Sequence, residues 1–290
     1  MDPRPSALKT ASLTTLTLIA FAANSLLTRM ALGADSIDAA SFVTLRLASG
    51  ALMLLAITTF STKSSSDVRA KAGWEGWAAA VMLFLYAIAF SFAYLQLTAG
   101  TGTLILFGTV QITMILVALK QGEKPRNLEW GGLVIALVGL MYLVSPGLAA
   151  PPVVGSVLMM ISGVAWGFYS LMGRGITEPV INTKNNFVRA VPFAVGVSVV
   201  SLTRLQLSAP GIILALLSGA LASGVGYALW YAALRGLTAT RSATVQLSVP
   251  VLASIGGTLF LSEALSLRLI VASLMILGGI GLAVLGRQQS

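Results

Sequence analysis

Cysteine and histidine are both absent from this sequence. Their absence excludes disulfides, thiolate nucleophiles, Cys/His metal sites and an imidazole that changes charge near neutral pH. It says nothing about redox compartment. Charge is scarce as well: Asp, Glu, Lys and Arg make up 9% of the 290 residues, where a soluble domain carries about 25%. Only nine residues are acids, namely Asp2, Asp35, Asp38, Asp67, Glu75, Glu123, Glu129, Glu178 and Glu263. On the helix assignment below all nine fall in loops or at helix ends. An intramembrane enzyme needs an acid–base pair, metal ligands or an activated nucleophile, and this chain has little to offer it. No enzyme activity, metal or cofactor is expected, and no appended soluble domain suggests a sensor.

What fills the chain is apolar. Hydrophobic residues make up 57% of it, with a mean hydropathy of +0.91. That leaves too little polar surface to cover a water-soluble globule, so most of the exterior must face lipid. The apolar runs are long and continuous, unlike the alternating segments of about ten residues that build a membrane β-barrel. The expected class is an all-α polytopic membrane protein. The net charge of +9 then reads as basic cytoplasmic loops beside anionic headgroups, with no nucleic-acid partner. The N-terminus MDPRPSALKTASL shows no small-residue cleavage site after its apolar run and reads as the start of the first helix.

About 20 apolar residues span a bilayer. That ruler predicts ten transmembrane helices, at 9–31, 39–60, 76–97, 100–120, 128–145, 153–173, 185–202, 211–234, 238–261 and 268–286. Two boundaries rest on turn chemistry, at Thr98-Ala99-Gly100-Thr101-Gly102 and from Pro146-Gly147 through Pro151-Pro152. The stretch Thr98–Glu123 returns as Thr238–Glu263 at a constant offset of 140. Thr98-Ala99 matches Thr238-Ala239, Gly122-Glu123 matches Ser262-Glu263, and Gly139 matches Gly279. Phe21–Arg29 likewise resembles Trp166–Arg174, and Arg46 has a counterpart in Arg189. The reading is two related five-helix units, 1–147 and 148–290, forming one transport unit. Five is odd, so the second must enter the membrane inverted, the usual build of secondary transporters. Lys and Arg gather on one side: Arg4, Lys9, Lys63, Arg69, Lys71, Lys120, Lys124, Arg126, Arg174, Lys184, Arg235, Arg241 and Arg287. Only Arg29, Arg204 and Arg268 fall on the other, which places both termini in the cytoplasm.

Together these features resemble the drug/metabolite transporter superfamily in its ten-helix EamA-like branch. The resemblance rests on Phe42-x-x-x-Arg46, on Trp166-Gly167, and on the paired Thr98–Glu123 and Thr238–Glu263 blocks with Val249-Pro250. It covers nearly the whole chain, departing where Phe21-Ala22 stands in place of Trp-Gly and around helix 7. Within the branch the chain looks most like the YddG-type exporters of aromatic and other amino acids. The resemblance implies a multi-pass protein of the cell's inner (plasma) membrane that exports amino acids or similar small metabolites by alternating access. The alternative is a broad-range drug or metabolite exporter of the same superfamily.

Aromatic walls with a few polar groups suit such a cargo. Tyr86, Phe90 and Tyr94 share one face of helix 3 at spacing i, i+4, i+8. Trp166 and Tyr169 share a face of helix 6, matched by Phe21 and Asn24 of helix 1. Gln111 and Gln246 lie inside helices, where an unpaired amide is costly, and should face the interior. These nine are the expected cavity residues. Arg46 and Arg189 are either counter-charges or gates for a carboxylate, or else cations snorkelling from helix starts. Pro192 and Pro250 interrupt helices 7 and 9 as candidate hinges. With no acid at mid-membrane, a proton-carrying carboxylate is disfavoured. The expected cargo is a neutral or zwitterionic small molecule, carried by facilitated diffusion or exchange. Two halves in one chain can enclose a cavity without a second copy. Trp74, Trp77, Trp130 and Trp230 are expected in the interfacial belt.

Overall fold

The computed structural model describes residues 7–61, 74–122, 127–147, 150–173, 176–237 and 245–288. The opening Thr238-Ala239 of the second repeat, the joint between the halves at 148, Glu123, and the cations Arg4, Lys63, Arg69, Lys71, Lys124, Arg126, Arg174 and Arg241 lie outside the described residues. Among the described residues the structure is helical, apart from an isolated antiparallel bridge between Ile37 and Leu207. The long helices are α1 (Ala7–Gly33), α2 (Ala39–Ser61), α3 (Trp74–Tyr94), α4 (Ala99–Lys120), α5 (Asn127–Val144), α6 (Val153–Met172), α7 (Pro179–Val200), α8 (Ala209–Leu234), α9 (Ser248–Leu261) and α10 (Leu267–Gln288). Within α8 the turns over Ser218–Val225 are π-helical.

Helices α1 to α6 and α8, seven among the described residues, are long and apolar enough to cross a bilayer. Two others, α9 and α10 as far as Ala283, are apolar but shorter. Helix α7 has the length, yet its first half reads Asn182-Thr183-Lys184-Asn185-Asn186. It starts at Pro179, six residues before the position expected from hydropathy. Proline is well suited to a first helical turn, where its missing N–H would go unbonded anyway. The polar stretch is therefore helix where an apolar ruler reads loop.

The repeated block has a structural counterpart at its ends. Thr98 caps α4, its hydroxyl accepting from the Thr101 amide at 3.4 Å. At the far ends Gly122 (φ 90) and Ser262 (φ 54), aligned at the repeat offset, both take the left-handed conformation that ends a helix. Glycine adopts it freely, whereas serine does so against its Cβ.

Packing is close at small residues. Helix α5 lies along α10 with Gly132 facing the backbone of Gly279, and a Cβ on either glycine would strike the other helix's main chain. Gly100 meets Ser254 of α9, and Gly256 meets Leu26 of α1. The most extensive helix pairs fall into a pattern, which the smaller contacts do not all follow: α3 packs on α6 and α1 on α8, α4 on α6 and α1 on α9, α3 on α7 and α2 on α8. Exchanging each helix with the one five positions later converts each pair into its mate. The pairs α2–α7, α4–α9 and α5–α10 map onto themselves. Buried Phe42, Leu47, Leu83, Phe90, Leu104 and Phe187 form the middle of the bundle, while Leu52, Val138, Met141, Leu259 and Leu274 point outward. Trp74, Trp77 and Trp130 are exposed near helix starts. Trp230 differs from them, lying half-buried against Phe21 with 6.0 Å between ring centroids.

Candidate functional site

A constellation at the centre of the bundle draws on α1, α2, α3, α6 and α8. The i, i+4 spacing puts Tyr86 and Phe90 on the inner face of α3, with their rings 5.4 Å apart. The Tyr86 hydroxyl accepts from Arg46 Nη2 at 3.0 Å and from Asn24 Nδ2 at 3.4 Å. Asn24 Oδ1 in turn accepts from the Ser218 hydroxyl at 2.8 Å. Ser218 opens the π-helical turns of α8, and such turns recur at functional sites because the extra residue per turn displaces side chains and main-chain bonds. Arg46 is 2% exposed, and its Nε and Nη1 have no hydrogen-bond partner. Its guanidinium lies 5.3 Å from the Tyr86 ring and 5.0 Å from that of Phe90. The close crossing of α2 and α8 that brings these groups together depends on Gly219, where a Cβ would strike the Arg46 carbonyl.

Around this polar group stands an aromatic wall. Trp166 of α6 stacks on Tyr227 of α8 at 5.4 Å and 26°, and also touches Tyr86 at 4.7 Å. Phe21 of α1 meets Tyr227 edge-on at 5.8 Å. These residues, with Gln246, Phe107 and Ser223, line a cavity of about 30 Å³, which has room for a water or two and none for a larger solute. Pro250 has no N–H to offer the Gln246 carbonyl. The helix is broken at Leu247, so Gln246 reaches the cavity on a separate turn ahead of α9.

The expected cavity residues thus divide. Phe21, Asn24, Tyr86, Phe90, Trp166 and Gln246 come together at one cavity. Tyr94 stands apart, its hydroxyl bonded to Thr103 Oγ1 at 3.0 Å in the corner between α3 and α4. Tyr169 touches Trp166 from behind and receives a bond from Asn186 at 3.5 Å. Gln111 is buried on α4 away from the lining. Arg189 does not share the position of Arg46. It is half-buried, with its guanidinium 5.9 Å from the Trp77 ring near the start of α3. Pro192 lies inside α7. Tyr227, Ser218 and Ser223 were not anticipated. A signal for the first existed: Tyr227 and Tyr231 repeat the i, i+4 spacing of Tyr86 and Phe90, 141 residues later.

One end of the bundle is sewn shut over this cavity. Glu263 Oε1 pairs with Arg29 Nε at 3.2 Å, and Oε2 accepts from the Ala99 amide at the start of α4 at 2.8 Å. Arg29 Nη1 also donates to the Tyr94 carbonyl at 2.9 Å. The Ser36–Asp38 turn bonds across to Gln206–Ser208, with Asp38 N to Gln206 O at 3.0 Å and Ser208 N to Ser36 O at 3.0 Å. Gln96 Oε1 accepts from Gly155 N at 3.1 Å. The opposite end has a separate recess of about 210 Å³ between Trp74, Met172, Ile176 and Asn182.

Comparison with known proteins places these features in a wider group. Residues 153–285 match the EamA-like transporter family. An uncharacterized protein of Pseudomonas aeruginosa is 50% identical over 96% of each chain. The uncharacterized transporter YwfM of Bacillus subtilis is 30% identical over 73% of each. A solved crystal structure superposes on 94% of this chain and 97% of its own, with a TM-score of 0.65 at 20% identity, a likeness of fold.

Proposed function

The chain belongs to the EamA-like transporter family and is a multi-pass membrane transporter, and we propose that it exports amino acids with apolar or aromatic side chains, or similar small metabolites, across the inner membrane. The observation that carries this reading is the buried polar group Arg46–Tyr86–Asn24 set against the aromatic wall of Trp166, Tyr227 and Phe21. One part can meet the charged end of such a solute and the other its side chain.

The architecture is ten passes in two inverted halves, 1–147 and 148–290, with both termini cytoplasmic. The offset of 140 in the sequence and the exchange pattern of the helix pairs support it. The site draws on both halves, as alternating access requires of a central site. The end closed by Arg29–Glu263 and by the Asp38–Gln206 contacts is then the outer one. Opening outward breaks those contacts, and opening inward parts the other end.

Uptake of radiolabelled phenylalanine, tryptophan, methionine and threonine into proteoliposomes tests the cargo. Saturable uptake is expected, falling about tenfold or more in Trp166→Ala, because the indole supplies much of the aromatic wall between Tyr86 and Tyr227. No uptake of any of the four by folded, inserted protein would rule out amino acids as cargo.

A further inference from the structure

Arg46 lies behind the lining, held against Tyr86 and Phe90, which do line the cavity. A guanidinium keeps its charge at any physiological pH and offers five N–H donors. A buried arginine with a purely structural role normally has its donors satisfied. Here Nη2 bonds Tyr86, while Nε and Nη1 have no partner at 2% exposure. Burying a charge with donors left unbonded is strongly unfavourable. The described acids stand at or beyond helix ends: Asp35, Asp38, Glu178 and Glu263 lie outside the helices, and Glu75 and Glu129 are in the first turns of α3 and α5. A second orphan sits at the same cavity, for Ser223 Oγ on the π-helical turns of α8 is buried with no partner. The cavity therefore has a fixed positive charge beside it and no described carboxylate in its lining.

We infer that the obligatory feature of the cargo is a single carboxylate, held by Arg46, on an apolar or aromatic body, and that an α-amino group is tolerated but not required. The inference rests on the transporter reading above and narrows it. A carboxylate meets unpaired donors and can take two charge-assisted hydrogen bonds. An ammonium meets ring faces, amide oxygens of Asn24 and Gln246 and neutral hydroxyls such as Ser223, with no described carboxylate in the lining. A phosphate dianion would call for a second cation, and Arg189 is engaged elsewhere, over Trp77. Apolar monocarboxylates without an amine should therefore bind alongside amino acids, and amines without a carboxylate should not.

The test varies the two charged groups separately on one aromatic body. Binding of radiolabelled phenylpropanoate to the purified full-length protein is measured in detergent, with phenylalanine, phenylalaninamide and phenylethylamine as competitors, and uptake is measured in proteoliposomes. Phenylpropanoate and phenylalanine are expected to compete with each other, and the amide and amine to fail. Arg46→Gln should weaken phenylpropanoate about ten- to a hundredfold, with Arg46→Lys keeping part of the affinity as a point charge without the planar fork. Phenylethylamine competing as well as phenylpropanoate, or Arg46→Gln binding undiminished, would overturn the inference. Should Arg46→Gln fail to fold, the wild-type competition series decides alone. Binding without uptake supports the carboxylate site and counts against transport of this solute. Uptake of phenylalanine by protein that binds no phenylpropanoate overturns the carboxylate inference and leaves amino-acid transport standing.

Discussion

At the scale of single residues, Arg46 and Arg189 show how one residue type in matched positions serves two ends. Both are expected intramembrane cations. Only Arg46 reaches the centre, because α2 crosses α8 at Gly219 with no side chain between them. Arg189 reaches back toward the end of the bundle and rests on Trp77, the behaviour of a snorkelling side chain. Glu263 is the counterpart at the rim. Its carboxylate joins Arg29 of α1 to the first turn of α4, and the side chains of the pair are 24% and 12% exposed. Glu263→Ala leaves the Ala99 amide and Arg29 Nε without their acceptor and should destabilise by about 1–3 kcal/mol. Glu263→Gln keeps a neutral acceptor and should cost less. Thermal unfolding in detergent checks the order, wild type above Gln above Ala. Equal midpoints would mean that this contact contributes nothing to closure.

At the scale of elements, helix contacts in lipid depend on close packing, since lipid tails are as apolar as the helix faces they would leave. The α5–α10 pair shows this most plainly, with Gly132 and Gly279 each facing the other helix's main chain. Gly279→Leu should push the helices apart and destabilise by about 1–3 kcal/mol. Gly278→Leu, one residue away with nothing within 4 Å, is the matched control. Yield and monodispersity of the two variants in detergent distinguish them, and equal behaviour would contradict this contact. Helix positions were largely legible beforehand because length, hydropathy and turn residues are local properties. Helix α7 shows where that ends: a polar stretch from Asn182 to Asn186 is wound as helix, and a hydropathy ruler passes over it. The π-helical turns of α8 were not legible either, since Ser218-Gly219-Ala220-Leu221 reads as ordinary apolar helix.

At the scale of the whole molecule, an even number of passes puts the two ends of the chain on one side. A fluorescent protein fused after Ser290 should be bright in intact bacterial cells, where such fusions mature in the cytoplasm. A dark but full-length fusion would require an odd number of passes and would break the inverted-repeat architecture. The bright result is expected from the sequence, since most Lys and Arg fall in the segments that the ten-pass reading puts on the side of the termini.

Composition and periodic runs by themselves determined that the chain lives in a bilayer as helices, where most of those helices stand, and that two stretches are related at an offset of 140. These follow from solvation and covalent order, which are written residue by residue. Tertiary structure alone decided that Tyr227 completes the aromatic wall, that Tyr94, Tyr169 and Gln111 stand away from the cavity lining, and that Arg46 sits beside it with Nε and Nη1 unbonded. Such contacts form over 3–6 Å between helices distant in the chain. They depend on crossing points such as Gly219 and on the turn phase that the π-helical segment shifts, and neither is set by any one helix's own residues.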